Sequence, residues 1–414
     1  MGLSIATQPA LKKIYANPIR LSCGRFLVEE LILASRVLIM LPGPTNVPDR
    51  VLRAMARPII GHRGAEFHEL YERIEENLKY VFQTQKEVYL LTSSGTGAVE
   101  CAVGNLVSPG DKVLVPVFGV FSERLSEKVL RHGGRLVKLA VEWGEAPTAS
   151  QVEEALEREG DVKAVAIVYN ETSTGITVRD LPKIAEAAKS HGAYTIVDAI
   201  SILGGEQLPV DRWGIDLCVT GSQKCLACPP GLAFISVSDE AWREIERNPR
   251  RPYYFDLVSF RRFHERRETP FTPAVPLLFA LDEALQMIRE EGLEQRFRRH
   301  ASCAEAFYAG LTALGMQIYP KQEAYRSNTV IAVELPEGVD DVKLRSLMKS
   351  RYGVQIAGGM GKLKGRIIRI GCMGIISEVE TLTTISALEN ALLDMGHKIE
   401  QGAGVNAAKN AFKS

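Results

Sequence analysis

Phe67, Leu70, Tyr71, Ile74, Leu78 and Val81 recur at helical spacing and predict one amphipathic helix. Beyond it come short apolar runs at Val88–Leu91, Lys112–Val117, Leu136–Leu139, Ala164–Tyr169, Ala193–Val197, Leu217–Thr220 and Leu232–Val237, each read as a strand. Helical segments such as Glu123–Leu130, Val152–Glu159 and Leu181–Ser190 separate most of them. Alternation of this kind predicts an α/β fold, with a mostly parallel sheet flanked by helices. After Val237 the pattern changes. An Arg-rich, aromatic segment (Arg250, Arg251, Tyr253, Tyr254, Arg261, Arg262, Arg266, Arg267) precedes a long helix expected over Val275–Glu290. Further units at Ala301–Leu314, Thr329–Leu335, Val342–Tyr352, Ile367–Gly371 and Leu382–Met395 fit a smaller C-terminal α/β domain.

At 414 residues and 46% hydrophobic content the chain can fill two cores. Fifty basic residues balance fifty acidic ones, which favours neither nucleic acid nor an anionic membrane as a partner. Seven scattered cysteines argue against a secreted disulfide framework. Between Leu21 and Leu41 an apolar stretch is broken by Arg25, Glu29, Glu30 and Arg36, so it reads neither as a signal peptide nor as a spanning helix. The expectation is a soluble, cytoplasmic metabolic enzyme.

The candidate chemistry lies where predicted strands end. Lys224 follows the run Asp216–Thr220 in the setting Gly221-Ser222-Gln223-Lys224, and Asp198 follows Ala193–Val197. A lysine after a strand is commonplace and alone marks a solvated turn. Ser93–Gly97 (SSGTG), however, precedes an amphipathic run through Val107, which gathers backbone N–H groups at a helix N-terminus suited to a phosphate. A lysine able to form a Schiff base and an aspartate able to hold a pyridinium nitrogen are what pyridoxal phosphate asks of a protein. Ligands on such sheets gather at the carboxyl ends of strands, where Thr96, Thr172, Asp198 and Lys224 are all expected.

These residues belong to a longer ordered set. Leu41–Pro48 (LPGPTNVP), Ser94–Gly97, Glu171–Gly175 (ETSTG), Val197–Ala199, Gly204-Gly205, Gly221–Lys224, Pro229–Gly231, Phe271–Pro273 and Arg369–Gly371 resemble the class V aminotransferases of fold type I. Within that family the resemblance is greatest to alanine:glyoxylate and serine:pyruvate aminotransferases, and it runs from about Leu38 to His397. It implies a large cofactor-binding domain over 61–284, a small domain from 38–60 and 285–400, and a C-terminal tail over 401–414. Residues 1–37 match nothing in the family and read as a loosely docked or artefactual extension.

The resemblance also implies roles. Lys224 and Asp198 would be catalytic, the lysine as Schiff-base former and proton carrier, the aspartate as partner of the ring nitrogen. Ser94, Gly95, Thr96 and Gln223 would contact the cofactor phosphate, Phe121 would stack on the ring where many relatives have tryptophan, and Thr172 would bond the phenolic oxygen. Thr272 would reach the phosphate of a neighbouring subunit, implying a homodimer with shared sites, although Thr269 stands where relatives often carry tyrosine. Arg369 would bind the substrate carboxylate bidentately. Gly43 would close the pocket against a small substrate, with alanine or serine as donor and glyoxylate or pyruvate as acceptor.

Other readings share the fold or the motifs. Relatives use ureidoglycine, phosphonates or pyridoxamine, and the Arg-rich segment raises the phosphonate case against a solvated surface or interface rim. A cysteine desulfurase would need a mobile cysteine and usually a histidine before the lysine, where this chain has Gln223. Gly95-Thr96-Gly97 as half of a dinucleotide turn lacks the third glycine and the acidic partner. Cys225 and Cys228 form a C-x-x-C with no second pair or nearby histidine, so they are assigned to packing and no metal site is expected.

Overall fold

Seven of the apolar runs pair into one sheet in a computed structural model of the chain, which describes residues 37–413. They are β1 (Val88–Thr92), β2 (Lys112–Val117), β3 (Arg135–Ala140), β4 (Val162–Val168), β5 (Tyr194–Asp198), β6 (Leu217–Gly221) and β7 (Leu232–Val237). Their order is β1-β7-β6-β5-β4-β2-β3. Only β7 runs antiparallel to its neighbours, so the other strands share one direction. Thr92, Val168, Asp198 and Gly221 therefore end at the same edge. Strands β6 and β7 are buried throughout, as continuous apolar runs covered on both faces should be. Edge strand β3 is largely exposed and carries Arg135 and Lys138, charges that discourage pairing with another chain.

Helices cover the sheet in packed groups. Gly95–Leu106 contacts Val120–Arg131 and strands β5 to β7, while Ala149–Glu159 pairs with Leu181–Ser190, and Val275–Glu291 lies on Ala65–Phe82. A second core forms around Phe307, Leu311, Leu344, Met348, Ile368 and Ile370. Its sheet joins β8 (Val330–Glu334), β9 (Ala357–Gly358) and β10 (Ile367–Gly371) antiparallel in the order β8-β10-β9. Among the described residues no helix is long and apolar enough to cross a membrane.

Several boundaries differ from the sequence reading. The segment 38–60 is divided: Met40 joins the smaller core, while Val51, on a helix that packs along Val275–Glu291, joins the larger. The expected tail contains a helix, Ala403–Ala411, with Ala408 fully buried. It is anchored by the buried carboxylate of Glu389, which accepts from the N–H groups of Gly402, Gly404 (3.1 Å) and Val405 (3.4 Å) in its first turn. The helix expected from Ala301 starts at Leu293, its periodicity hidden by two polar residues, Arg296 and His300, that are themselves buried. The Arg-rich stretch forms two helices, Asp239–Arg247 and Leu257–His264, and several of its arginines are paired: Arg251 with Asp256, Arg261 with Glu246, Arg267 with Glu72. The extension expected over 1–37 lies, but for its last residue, outside the described residues.

Candidate active site

Asp198 is the last residue of β5, and Lys224 stands just past β6 on a loop tied from several sides. The Ser222 hydroxyl donates to Pro229 O (2.6 Å), and the buried Arg296 guanidinium donates to Gly204 O (2.9 Å) and to Cys225 O. From the chain's early segment, Thr45 donates through its N–H to Gln223 O and through its hydroxyl to Lys224 O, both at 3.2 Å. This brings Pro42 and Gly43 onto the lysine: Lys224 Nζ donates to Pro42 O, and a Cβ at Gly43 would lie 2.6 Å from Nζ. Any side chain at position 43 would displace the amine.

A cavity of about 140 Å³ opens at these strand ends, and Gly95, Thr96, Phe121, Thr172, Asp198, Gln223 and Lys224 all line it. Ser94 caps the Gly95–Leu106 helix beside them with its side chain exposed. Arg369, on β10 and 7% exposed, donates from Nε to Gly358 O (2.9 Å) and from Nη1 to Thr172 O (3.1 Å), so its Nη2 edge keeps free donors. Thr272 is exposed and does not line this cavity. Cys225 and Cys228 are buried free thiols.

Burial dominates the electrostatics. It lowers the Lys224 amine from 10.5 to about 8, Arg369 pushing the same way while Cys225 and Asp198 oppose. It raises the Asp198 carboxyl to about 6 against the N–H of Ile200 (3.0 Å) and the charges of Lys128 and Lys224, with Glu171 adding to the rise. Desolvation brings the Arg369 guanidinium down to about 10, with Glu171 favouring its charge.

Residues 39–364 match the family described as aminotransferase class-V. The chain belongs to that family. An uncharacterised aminotransferase of Methanocaldococcus jannaschii is 44% identical over 92% of this chain and 98% of its own. Serine–glyoxylate aminotransferase of Methylorubrum extorquens is 37% identical over 91% of this chain and 96% of its own. The crystal structure of ureidoglycine–glyoxylate aminotransferase from Bacillus subtilis superposes with a TM-score of 0.87 at 34% identity, covering 91% of this chain and 98% of that one. The protein is thus a fold type I, pyridoxal-phosphate-dependent transaminase.

The side chains of this class V aminotransferase fit that cofactor. Gln223 Oε1 is buried in the cavity wall without a partner, and the same amide with its O and N exchanged would point N–H donors there, which a phosphate oxygen can accept. The N–H groups of Gly95 and Thr96, in the first turn of their helix, have no intrahelical acceptor and favour an anion. The same cavity holds the half-buried carboxyl group of Asp198 for a ring nitrogen and an amine already shifted toward its neutral form.

Three residues to which the sequence reading gave no role belong to this environment. Lys128 lines the cavity two helical turns on from Phe121, and its ammonium stabilises the Asp198 carboxylate more than the Lys224 amine does. Helical spacing (Phe121, Leu125, Lys128) was the signal available for it. Arg296 clamps the lysine loop, and Glu171 holds the start of the Val120–Arg131 helix. Arg296 carries no local signal, and Glu171 only its place in Glu171–Gly175, since the partners that define their roles are distant in sequence.

Proposed function

We propose that this transaminase transfers the amino group of a small amino acid, serine or alanine, to a small 2-oxo acid, glyoxylate or pyruvate. The observation that carries the reading is the close approach of Gly43 to the Lys224 amine, which leaves no room for a side chain there, together with Arg369, whose charge acts on that amine and whose free edge suits one carboxylate, although neither Gly43 nor Arg369 lines the cavity itself. The glyoxylate named for two of the relatives above supports the acceptor class.

Pyridoxal phosphate, when bound, supplies an aldehyde for the amine and a ring that draws electrons from the substrate's Cα. Lys224 holds it covalently and, once released, carries the proton to and from Cα. Its neutral form is accessible because the amine is buried. Asp198 keeps the ring nitrogen protonated. Ser94, Gly95, Thr96 and Gln223 would take the phosphate, Phe121 would stack on the ring, and the Thr172 hydroxyl would bond the phenolic oxygen. Thr272 is exposed and does not line this cavity, which suits service to the phosphate of a second copy in a homodimer.

The deciding experiment is a donor and acceptor panel on the purified protein, read by half-reaction spectra. Serine or alanine with glyoxylate or pyruvate should outperform glutamate, aspartate, ureidoglycine, an aminophosphonate and pyridoxamine. A clear preference for any of these others overturns the substrate assignment. Arg369→Lys keeps the charge and loses the fork, so kcat/KM should fall in both half-reactions by about 1.5–3 kcal/mol, roughly 10- to 100-fold. Equal activity of the variant would remove Arg369 from carboxylate binding.

Capture of the cofactor should follow the amine's titration. Only neutral Lys224 attacks the aldehyde, so the capture rate of the apo-protein should climb with pH, with its midpoint near 8, the value to which burial lowers the amine, and level off above it. Stopped-flow absorbance reads the profile. A midpoint at 10.5, the ordinary lysine value, would show that burial does not act on this group.

A further inference from the structure

Glu171 is fully buried, yet both oxygens of its carboxyl group are engaged. Oε2 accepts from the backbone N–H groups of Phe121 (3.0 Å) and Ser122 (2.9 Å) and from the Ser122 hydroxyl (3.1 Å). Oε1 accepts from the Ser173 N–H (3.1 Å) and hydroxyl (2.6 Å), and that hydroxyl accepts from the N–H of Val120 (2.9 Å). The side chain thus satisfies the free donors in the first turn of the Val120–Arg131 helix, where a negative charge is also favoured by the helix dipole. Gly119 makes this approach possible, since a Cβ there would lie 2.3 Å from Glu171 Cγ. One residue further on, Thr172 O accepts from Arg369 Nη1 at 3.1 Å.

The dipeptide Glu171-Thr172 therefore reaches in two directions. Its carboxylate fixes the backbone of the ring-stacking candidate, and its next carbonyl fixes the guanidinium. We propose that Glu171 is a positioning residue that locks Phe121 and Arg369 into one rigid unit, holding the cofactor plane and the substrate carboxylate in fixed relation. This rests on the roles proposed above for those two residues. Reacting atoms lose rate steeply when misplaced by about 1 Å, so a common anchor for ring and carboxylate acts directly on catalysis.

Glu171→Gln is the informative change. An amide presents N–H bonds to one of the two donor clusters, leaving backbone N–H groups facing another donor in a buried site. The variant apo-protein should bind pyridoxal phosphate about tenfold more weakly or worse by fluorescence titration. The reconstituted enzyme should show KM raised about tenfold for amino acid and oxo acid alike. Phe121→Ala should move chiefly the cofactor affinity and Arg369→Lys chiefly the substrate terms, so a joint shift is the signature of coupling. In a double-mutant cycle, Glu171→Gln should add little to the cofactor defect of Phe121→Ala. Where Glu171→Gln does not fold, Ser173→Ala carries the test, with the same two shifts at about threefold. Wild-type values of both quantities, or a shift in only one, in whichever variant folds, overturn the coupling. If instead Arg369→Lys leaves the substrate terms unchanged, the fault lies with the role given to Arg369.

Discussion

Lys224→Ala is expected to abolish transamination, with a fall of about 10⁴-fold or more, because it removes both the cofactor's covalent attachment and the carrier of the Cα proton. The loss should be chemical, not structural. The Lys224 side chain is packed between Gly43 and the cavity, and burial disfavours its charged form, so alanine removes a group whose charge opposes folding at neutral pH. Borohydride reduction of the wild type should place the pyridoxyl group on the peptide containing Gln223 and Lys224, and the variant should yield none there. A small exogenous amine should restore part of the proton transfer. Turnover above about 1% of wild type would point to another base. Lys128, the other amine lining the cavity, is the one to examine, and Lys128→Met is the control.

The chemistry was legible because it sits where local pattern is strongest. Buried strands appear in the sequence as apolar runs, and in a parallel sheet the residue that ends each run is carried to a common edge; Asp198 and Lys224 are found there. The helix N-terminus proposed to take the phosphate was legible for a similar reason, since Ser94-Gly95-Thr96 introduces an apolar helix. What stayed hidden depends on distant partners. Glu171 reads as one letter of a motif until the fold brings Phe121 and Ser122 to its oxygens. Arg296 reads as a surface charge until its guanidinium meets the carbonyls of Gly204 and Cys225. The Ala403–Ala411 helix has no apolar stripe to reveal it, being built of small residues that pack closely: a Cβ at Gly310 would lie 3.0 Å from Gly404 O. The edge strand β3 was found despite its charges, but its ends were blurred by Arg135 and by exposure.

Asp198→Asn should have two effects of opposite sign. In the loaded enzyme it should slow proton abstraction by about 100-fold or more, since an amide cannot keep the ring nitrogen protonated while a carboxylate can. In the apo-protein it should raise stability. Burial lifts the Asp198 carboxyl from 3.8 to about 6, so the folded empty protein holds this proton more tightly than the unfolded chain does. The resulting stabilisation is fully present below 3.8 and is lost as pH rises through about 6, where the carboxylate becomes an ionised group in a poorly solvated site. Asparagine is neutral throughout and its Oδ1 can still accept from the Ile200 N–H, the bond that Asp198 makes at 3.0 Å. The melting temperatures of the two apo-proteins should therefore coincide near pH 4 and diverge in favour of the variant above pH 6. Cofactor binding should reverse the order, because the protonated ring would add a counter-charge and a hydrogen-bond donor to what Lys128 and Lys224 already supply to the wild-type carboxylate. A structural role alone would lower stability in both forms, and near-wild-type transamination by the variant would assign the ring nitrogen to another residue.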